Sequence, residues 1–225
     1  MKYLQGHKFS KTVLLFFLFF ISYRANAQLS LGGGLNSVVA FGIKKPYLGI
    51  HLFGEYREDE QSYYAKLSST LSQTELSGTL DLQSNIPNDT SSFAAVVDAS
   101  QTFKYTNIEV GKRYYFGRDL DFGLSGYGGS HFNLAINSVN LKTGSFDNTH
   151  YSLPSDTPYT GHILGVGVGL NGGVQYGFYF GHLYFDAGFN YLLTAMPSNA
   201  LASSSTSIKQ VVFVFNLGFK RTLIW

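Results

Sequence analysis

Between Ile163 and Phe180 the chain reads ILGVGVGLNGGVQYGFYF, and this stretch restricts the possible folds more than any other. Leu164, Val166, Val168, Leu170, Val174, Tyr176, Phe178 and Phe180 take alternate positions. Gly165, Gly167, Gly169, Asn171, Gly173, Gln175 and Gly177 fall between them. A period of two belongs to a strand, because successive side chains leave a strand on opposite sides. A helix would mix the two sets around its circumference. The stretch therefore predicts one apolar wall backed by one small, polar wall.

The same division returns in LYFDAGFNYLL (183–193), where Leu183, Phe185, Ala187, Phe189, Tyr191 and Leu193 oppose Tyr184, Asp186, Gly188 and Asn190. It returns again in FGLSGYGGSHFNLAI (122–136), with Phe122, Leu124, Phe132, Leu134 and Ile136 against Ser125, Tyr127, His131 and Asn133. Eight such segments, over 29–43, 47–57, 62–82, 93–116, 121–141, 160–180, 183–195 and 207–225, predict an all-β chain without an amphipathic helix. In the third segment the apolar phase moves from odd positions (Tyr63, Ala65, Leu67, Leu71) to even ones (Leu76, Leu80, Leu82) near Gln73. That shift predicts a bulge or an irregular stretch.

Alternation does not say which wall faces inward. In a soluble sandwich the apolar set would be the core and the polar set would meet water. Here the non-apolar set is rich in glycine and poor in Lys and Glu, and charged residues are 13% of the chain against 16% aromatic. The apolar sets also run past the roughly 9 to 11 residues that a tilted strand needs to cross a bilayer. Aromatics collect at segment ends, as in Tyr114-Tyr115-Phe116, Tyr176 to Phe180 and Tyr184-Phe185, where interfacial girdles sit. The expected arrangement is an eight-stranded antiparallel transmembrane β-barrel, an up-and-down meander with the apolar wall in lipid.

The first residues, MKYLQGHKFSKTVLLFFLFFISYRANAQ, have the parts of a secretory signal: Lys2, Lys8 and Lys11, an apolar run from Val13 to Ile21, and Ala25-Asn26-Ala27. The expected division is a cleaved signal peptide over 1–27 and a single barrel over 28–225. Removing the signal takes Lys2, Lys8, Lys11 and Arg24 from the 16 basic residues, so 12 remain against 14 acidic ones, a net charge of −2. Nothing in that balance suggests a nucleic-acid partner. The chain has no cysteine, so a disulfide framework and a Cys-linked lipid are excluded.

The connections divide by length. REDEQ (57–61), GRDLD (117–121) and GH (181–182) are short and expected to be periplasmic; SNIPNDTS (84–91), KTGSFDNTHYSLPSDTPYT (142–160) and MPSNALASSST (196–206) are longer and expected outside. The last segment, VVFVFNLGFKRTLIW, is expected to pair with the first, so that no backbone edge is left in hydrocarbon. With the A-x-A signal, the alternating strands and the terminal aromatic, the chain resembles small Gram-negative outer-membrane β-barrels of the OmpA/OmpX-like and PorT types. The resemblance implies residence in the outer membrane and insertion by the barrel assembly machinery. It also implies a terminal-strand signal, carried here by Gly218, Leu223 and Trp225. Gly218 stands two residues early, and Arg221 occupies a position that is usually apolar.

Several stretches imitate chemistry. GVGLNG (167–172) has dinucleotide-binding spacing but lies inside a strand, whereas that motif needs a strand-to-helix turn. Ser130 and His131 are neighbours on one strand and point to opposite walls, so they cannot share a proton. His150 and Ser152 sit in the long outer connection with no acid fixed beside them by spacing, and Asp119 and Asp121 read as a solvated polar turn. No cofactor, metal site or catalytic group is expected.

By phase, His51, Glu55, Lys66, Glu109, Arg113, His131, Asp186 and Lys220 point inward, which predicts a paired charge network in the lumen. Tyr127 and Tyr179 are expected to fill it alongside Arg113 and Glu109, although Gly165, Gly167 and Gly169 leave one wall low. On the outer wall, a tight turn at GRDLD would set Lys112 opposite Gly126, Val110 opposite Gly128 and Ile108 opposite Ser130. Lys112, Gly126, Gly128 and Ser130 then form a candidate wall for a partner. The functional expectation is a non-enzymatic structural or accessory subunit, surrounded by outer-membrane lipids and binding another envelope protein in a secretion or barrel-assembly complex. A narrow channel and a lipid-modifying enzyme are the alternatives.

Overall fold

The computed structural model describes residues 27–40, 45–85, 95–153, 161–197 and 211–224. Trp225 and residues 1–26, which hold nearly all of the expected signal peptide, lie outside them. Eleven strands are present among the described residues: β1 (Ala27–Ala40), β2 (Tyr47–Glu58), β3 (Gln61–Thr70), β4 (Gln73–Asp81), β5 (Gln83–Ser84), β6 (Val96–Phe116), β7 (Gly123–Thr143), β8 (Tyr151–Ser152), β9 (Gly161–Phe178), β10 (Gly181–Pro197) and β11 (Val211–Ile224).

Eight of them close a ring in the order β1, β2, β3, β6, β7, β9, β10, β11, with every neighbouring pair antiparallel. The seam joins the two ends of the chain. Gly34 lies opposite Gly218, and Leu35 opposite Leu217. Closure removes the unpaired edge that an open sheet would present to hydrocarbon.

The third predicted strand is two. β3 ends at Thr70, and β4 restarts at Gln73 on the same partner, β6. Ser69 faces Thr106 and Gln73 faces Phe103, so one extra residue enters the β3–β4 side of the ladder, and a second shift occurs between Thr74 and Leu76. Each inserted residue reverses the facing of the residues after it. The two insertions cancel, so even positions face inward on both strands; the odd-to-even change is the apolar set passing from the outer wall to the inner one, where Leu80 lies opposite the buried Val97 and Leu82 is buried. Above the ring, β5 and β8 form a small separate sheet that alternation does not reveal.

Two connections differ from expectation. The β9–β10 turn is Tyr179–Phe180 rather than Gly181-His182, which leaves Tyr179 92% exposed and puts His182 inside. Tyr179 is therefore no lumen residue, because the strand's alternation stops at Phe178. Between β6 and β7, Phe116 lies opposite Gly126, Tyr114 opposite Gly128 and Lys112 opposite Ser130. The expected pairing of Lys112 with Gly126 is thus displaced by four residues. Residues 117–122 are a loop, not a tight turn: the Asp119 carboxylate accepts the backbone N–H groups of Asp121 (2.9 Å) and Phe122 (3.0 Å) and folds the segment back on itself.

The apolar sets face outward. Leu52, Leu124, Phe132 and Leu170 are each more than 60% exposed, as are many alternate residues around the ring. A continuous apolar surface of this kind is stable against hydrocarbon and not against water. At the end of the barrel with the short turns the aromatics touch one another. Tyr176 meets Phe178 at 4.9 Å between ring centres, Phe178 meets Phe180 at 5.6 Å and Phe180 meets Phe219 at 5.8 Å.

Candidate functional site

The interior is the candidate site, since the inward positions hold the charged and histidine side chains. Starting from the turn end, the loop 117–122 folds under the barrel. The Leu120 carbonyl accepts from Arg57 (3.3 Å), Gln175 (3.2 Å) and His182 (3.3 Å), side chains of β2, β9 and β10. Asp121 forms an ion pair with Arg57, which also donates to Gln28 at 2.5 Å. Four strands, β1, β2, β9 and β10, are tied to one loop there.

The next layer is built on Glu55. Its carboxylate accepts from Ser62 (2.8 Å), Tyr115 (2.6 Å) and Lys220 (2.7 Å), while Arg113 stands 3.9 Å away. Across the lumen, Asp186 accepts from Arg113 (3.4 Å), Tyr127 (3.2 Å) and Asn216 (2.5 Å). The Arg113 guanidinium therefore bridges two carboxylates, and it lies 4.0 Å from the ring centre of Tyr64 and 4.8 Å from that of Tyr127. A buried cation is tolerated where hydrogen bonds and ring faces replace its water.

Higher still, Lys66 pairs with Glu109 at 2.7 Å, and Asn107 donates to the other Glu109 oxygen at 2.8 Å. His51 hydrogen-bonds to Tyr184, and His131 donates to Asn190 at 2.6 Å. All eight of the inward residues singled out from phase are buried, and each has a partner from another strand or a neighbouring inward position. Above them the lining turns apolar: Val38, Tyr47, Tyr105, Val139, Ile163, Leu192, Val212 and Val214 pack into one cluster.

Gly167 and Gly169 do not leave the wall low. A side chain at Gly169 would collide with His131 and Asn190, one at Gly167 with the Asn133 amide at 2.6 Å, and one at Gly173 with Asp186 and Tyr127 at 2.7 Å each. They are sockets for the large residues of facing strands.

Phase reasoning missed the base of the barrel. Arg57 and His182, assigned to connections, occupy inward positions of their strands, so alternation carried further could have found them; Gln175 already stood on the polar wall. The Leu120 carbonyl and Asp121 lie in a loop, where no period applies.

On the outer wall, Lys112 and Ser130 are direct cross-strand partners, with Gly128 next on β7. Gly126 is covered by the Phe116 ring and is not an open position. Gly128 instead continues across the strands through Gly172 and Ala187, which are paired in register. On the terminal strand, Gly218 receives the Tyr184 ring on its inward side, Leu223 points outward, and Trp225 is outside the described residues.

In the outer connection, Asp147 stands 2.6 Å from His150 and accepts the Thr149 hydroxyl and, at 2.9 Å, its backbone N–H. The Asp-His pair that spacing did not reveal is thus a turn cap. The Thr149 hydroxyl donates to the carboxylate rather than to the imidazole, and both ends of the pair are over half exposed. These bonds hold the Asp147 carboxyl below its ordinary range. Among the described residues, no three His, Cys, Asp or Glu side chains gather closely enough to hold a metal ion.

No protein-family model matches the chain, and no curated protein sequence does. The solved structures it is similar to include three outer-membrane proteins. These are neisserial surface protein A (15% identity, 88% of this chain and 97% of that one, TM-score 0.49), a major outer membrane protein of Thermus thermophilus (14%, 88% and 99%, 0.48) and OprG of Pseudomonas aeruginosa (11%, 89% and 97%, 0.47).

Proposed function

We propose that this chain is a non-enzymatic integral barrel of a Gram-negative outer membrane, closed to solutes, that serves as an accessory subunit binding another envelope protein. One observation carries the reading: a loop and buried side chains cross the lumen at three levels. The loop 117–122 occupies the turn end, the Glu55–Arg113–Asp186 bridge spans the middle, and an apolar cluster fills the loop end. An ion entering from either side would meet buried side chains at each of these levels, so work falls to the outer surfaces. The shallow row Gly128, Gly172 and Ala187 is the favoured contact, because small residues let another membrane segment approach closely. Gly218, Leu223 and Trp225 serve insertion by the assembly machinery.

Two measurements test this. In planar bilayers the purified barrel conducts little; large, steady currents would support the narrow channel instead. Gly128→Leu and Gly172→Leu leave a folded, heat-modifiable barrel but release a protein that co-purifies with the wild type from mild-detergent membranes. Unchanged co-purification defeats the docking row.

A further inference from the structure

A groove of about 580 Å³ crosses the outer wall from β3 to β10, within the roughly 300 to 1,000 Å³ of ordinary ligand clefts. Its floor is Ser130, flanked in register by Lys112 on β6 and Leu170 on β9, with the protruding Phe132 beside it. Lys112 is its cation. The Nζ lies 4.7 Å from the ring centre of Tyr114 and 5.4 Å from that of Tyr63, and no carboxylate among the described residues forms an ion pair with it. A positive charge is thus held by two aromatic faces at one end of an otherwise apolar trough.

The groove also has a direction. Lys112 is four residues from the end of β6 at Phe116, whereas Leu170 and Phe189 are each eight residues from the ends of β9 and β10 at Phe178 and Gly181. At about 3.3 Å per residue and a tilt of about 40°, Lys112 lies roughly 10 Å above the turn end and the far end of the groove roughly 20 Å. The cation therefore lies toward the turn end beside two aromatics of the kind that line membrane interfaces, and the apolar end of the groove lies roughly 10 Å deeper.

We propose that this groove binds one anionic phospholipid of the leaflet at the turn end, its phosphate on Lys112 and one acyl chain over Ser130 toward Leu170 and Phe189. A zwitterionic lipid fits the trough equally but carries an amine that offsets the attraction. This goes beyond the docking reading and stands on different residues: Gly128→Leu leaves lipid binding intact, and Lys112→Gln leaves co-purification of a protein partner intact.

The test is native mass spectrometry of the folded protein in detergent, titrated with dioleoyl phosphatidylglycerol or dioleoyl phosphatidylcholine. The first adduct is expected at a phosphatidylglycerol concentration about fivefold below that for phosphatidylcholine, the selectivity of one interfacial lysine. Lys112→Gln, a half-buried position on the outer wall, abolishes the difference. Ser130→Leu fills the floor and weakens both lipids. Equal retention of the two lipids by the wild type, or a preference that survives Lys112→Gln, overturns the proposal. In cells, a photoreactive residue at position 130 is expected to yield adducts of lipid size, and crosslinking to a second polypeptide overturns it in favour of a protein occupant.

Discussion

The two halves of the barrel interior are built on different principles. Toward the turns, Glu55, Lys66, Glu109, Arg113, Asp186 and Lys220 are joined by directional bonds between particular atoms. Toward the loops, Val38, Ile163, Leu192, Val212 and Val214 are held by contact alone. Single strands cross from one regime to the other: inward positions on β11 run Lys220, Asn216, Val214, Val212, and on β7 they run Tyr127, His131, Asn133, Ala135, Val139. In the charged half each group depends on its partners, so removing one strands the rest. In the apolar half a deletion costs only the contacts of the deleted atoms.

The comparison is broken most severely at Glu55. Glu55→Ala leaves Lys220 and Arg113 buried without their shared carboxylate and should cost about 3 to 5 kcal/mol. Urea unfolding in detergent, tracked by the heat-modifiable band, measures it; a loss under about 1 kcal/mol would show that the network is dispensable. In the apolar half, Ile163→Ala should cost about 2 to 4 kcal/mol with no added pH dependence, since no charge is exposed. A pH-dependent loss there would erase the distinction between the halves.

The closing loop responds more weakly. Asp121 is nearly one-third exposed, so Asp121→Asn should lower global stability by no more than about 1 kcal/mol. Local opening is the sensitive readout: trypsin should cut after Arg118 several-fold faster in the variant, and an unchanged rate would mean that the Arg57 pair does not hold the loop. The smallest effect belongs to Asp147. Its pKa is lowered in the fold, so its contribution is fully present above the ordinary carboxylate value and is lost as pH falls through the folded value. Protection of the Tyr151 amide, which donates to the Asp147 carbonyl, should be flat from pH 7 to about 4 and decline below. Asp147→Asn should remove that decline.

Much of this was legible in particular residues. Alternation alone assigns Leu170 to the outer wall and Asn171 to the inner one, and it puts Glu55, Arg113 and Asp186 inside before any partner is known. The phase change near Gln73 marks the break between β3 and β4. The aromatic and charge content decides which wall meets lipid.

Facing is local, set by a backbone whose side chains alternate every residue, and so it is written in the sequence. Partnership is not. Whether Arg113 reaches Glu55 or Asp186, whether Lys112 faces Gly126 or Ser130, and whether Gly169 is a gap or a socket all depend on the register between strands. Register is fixed by loop geometry and by closure of the ring. One bent loop, held by Asp119 and the Leu120 carbonyl, displaces the β6–β7 pairing by four residues without altering the alternation of either strand, and only the closed tertiary structure decides it.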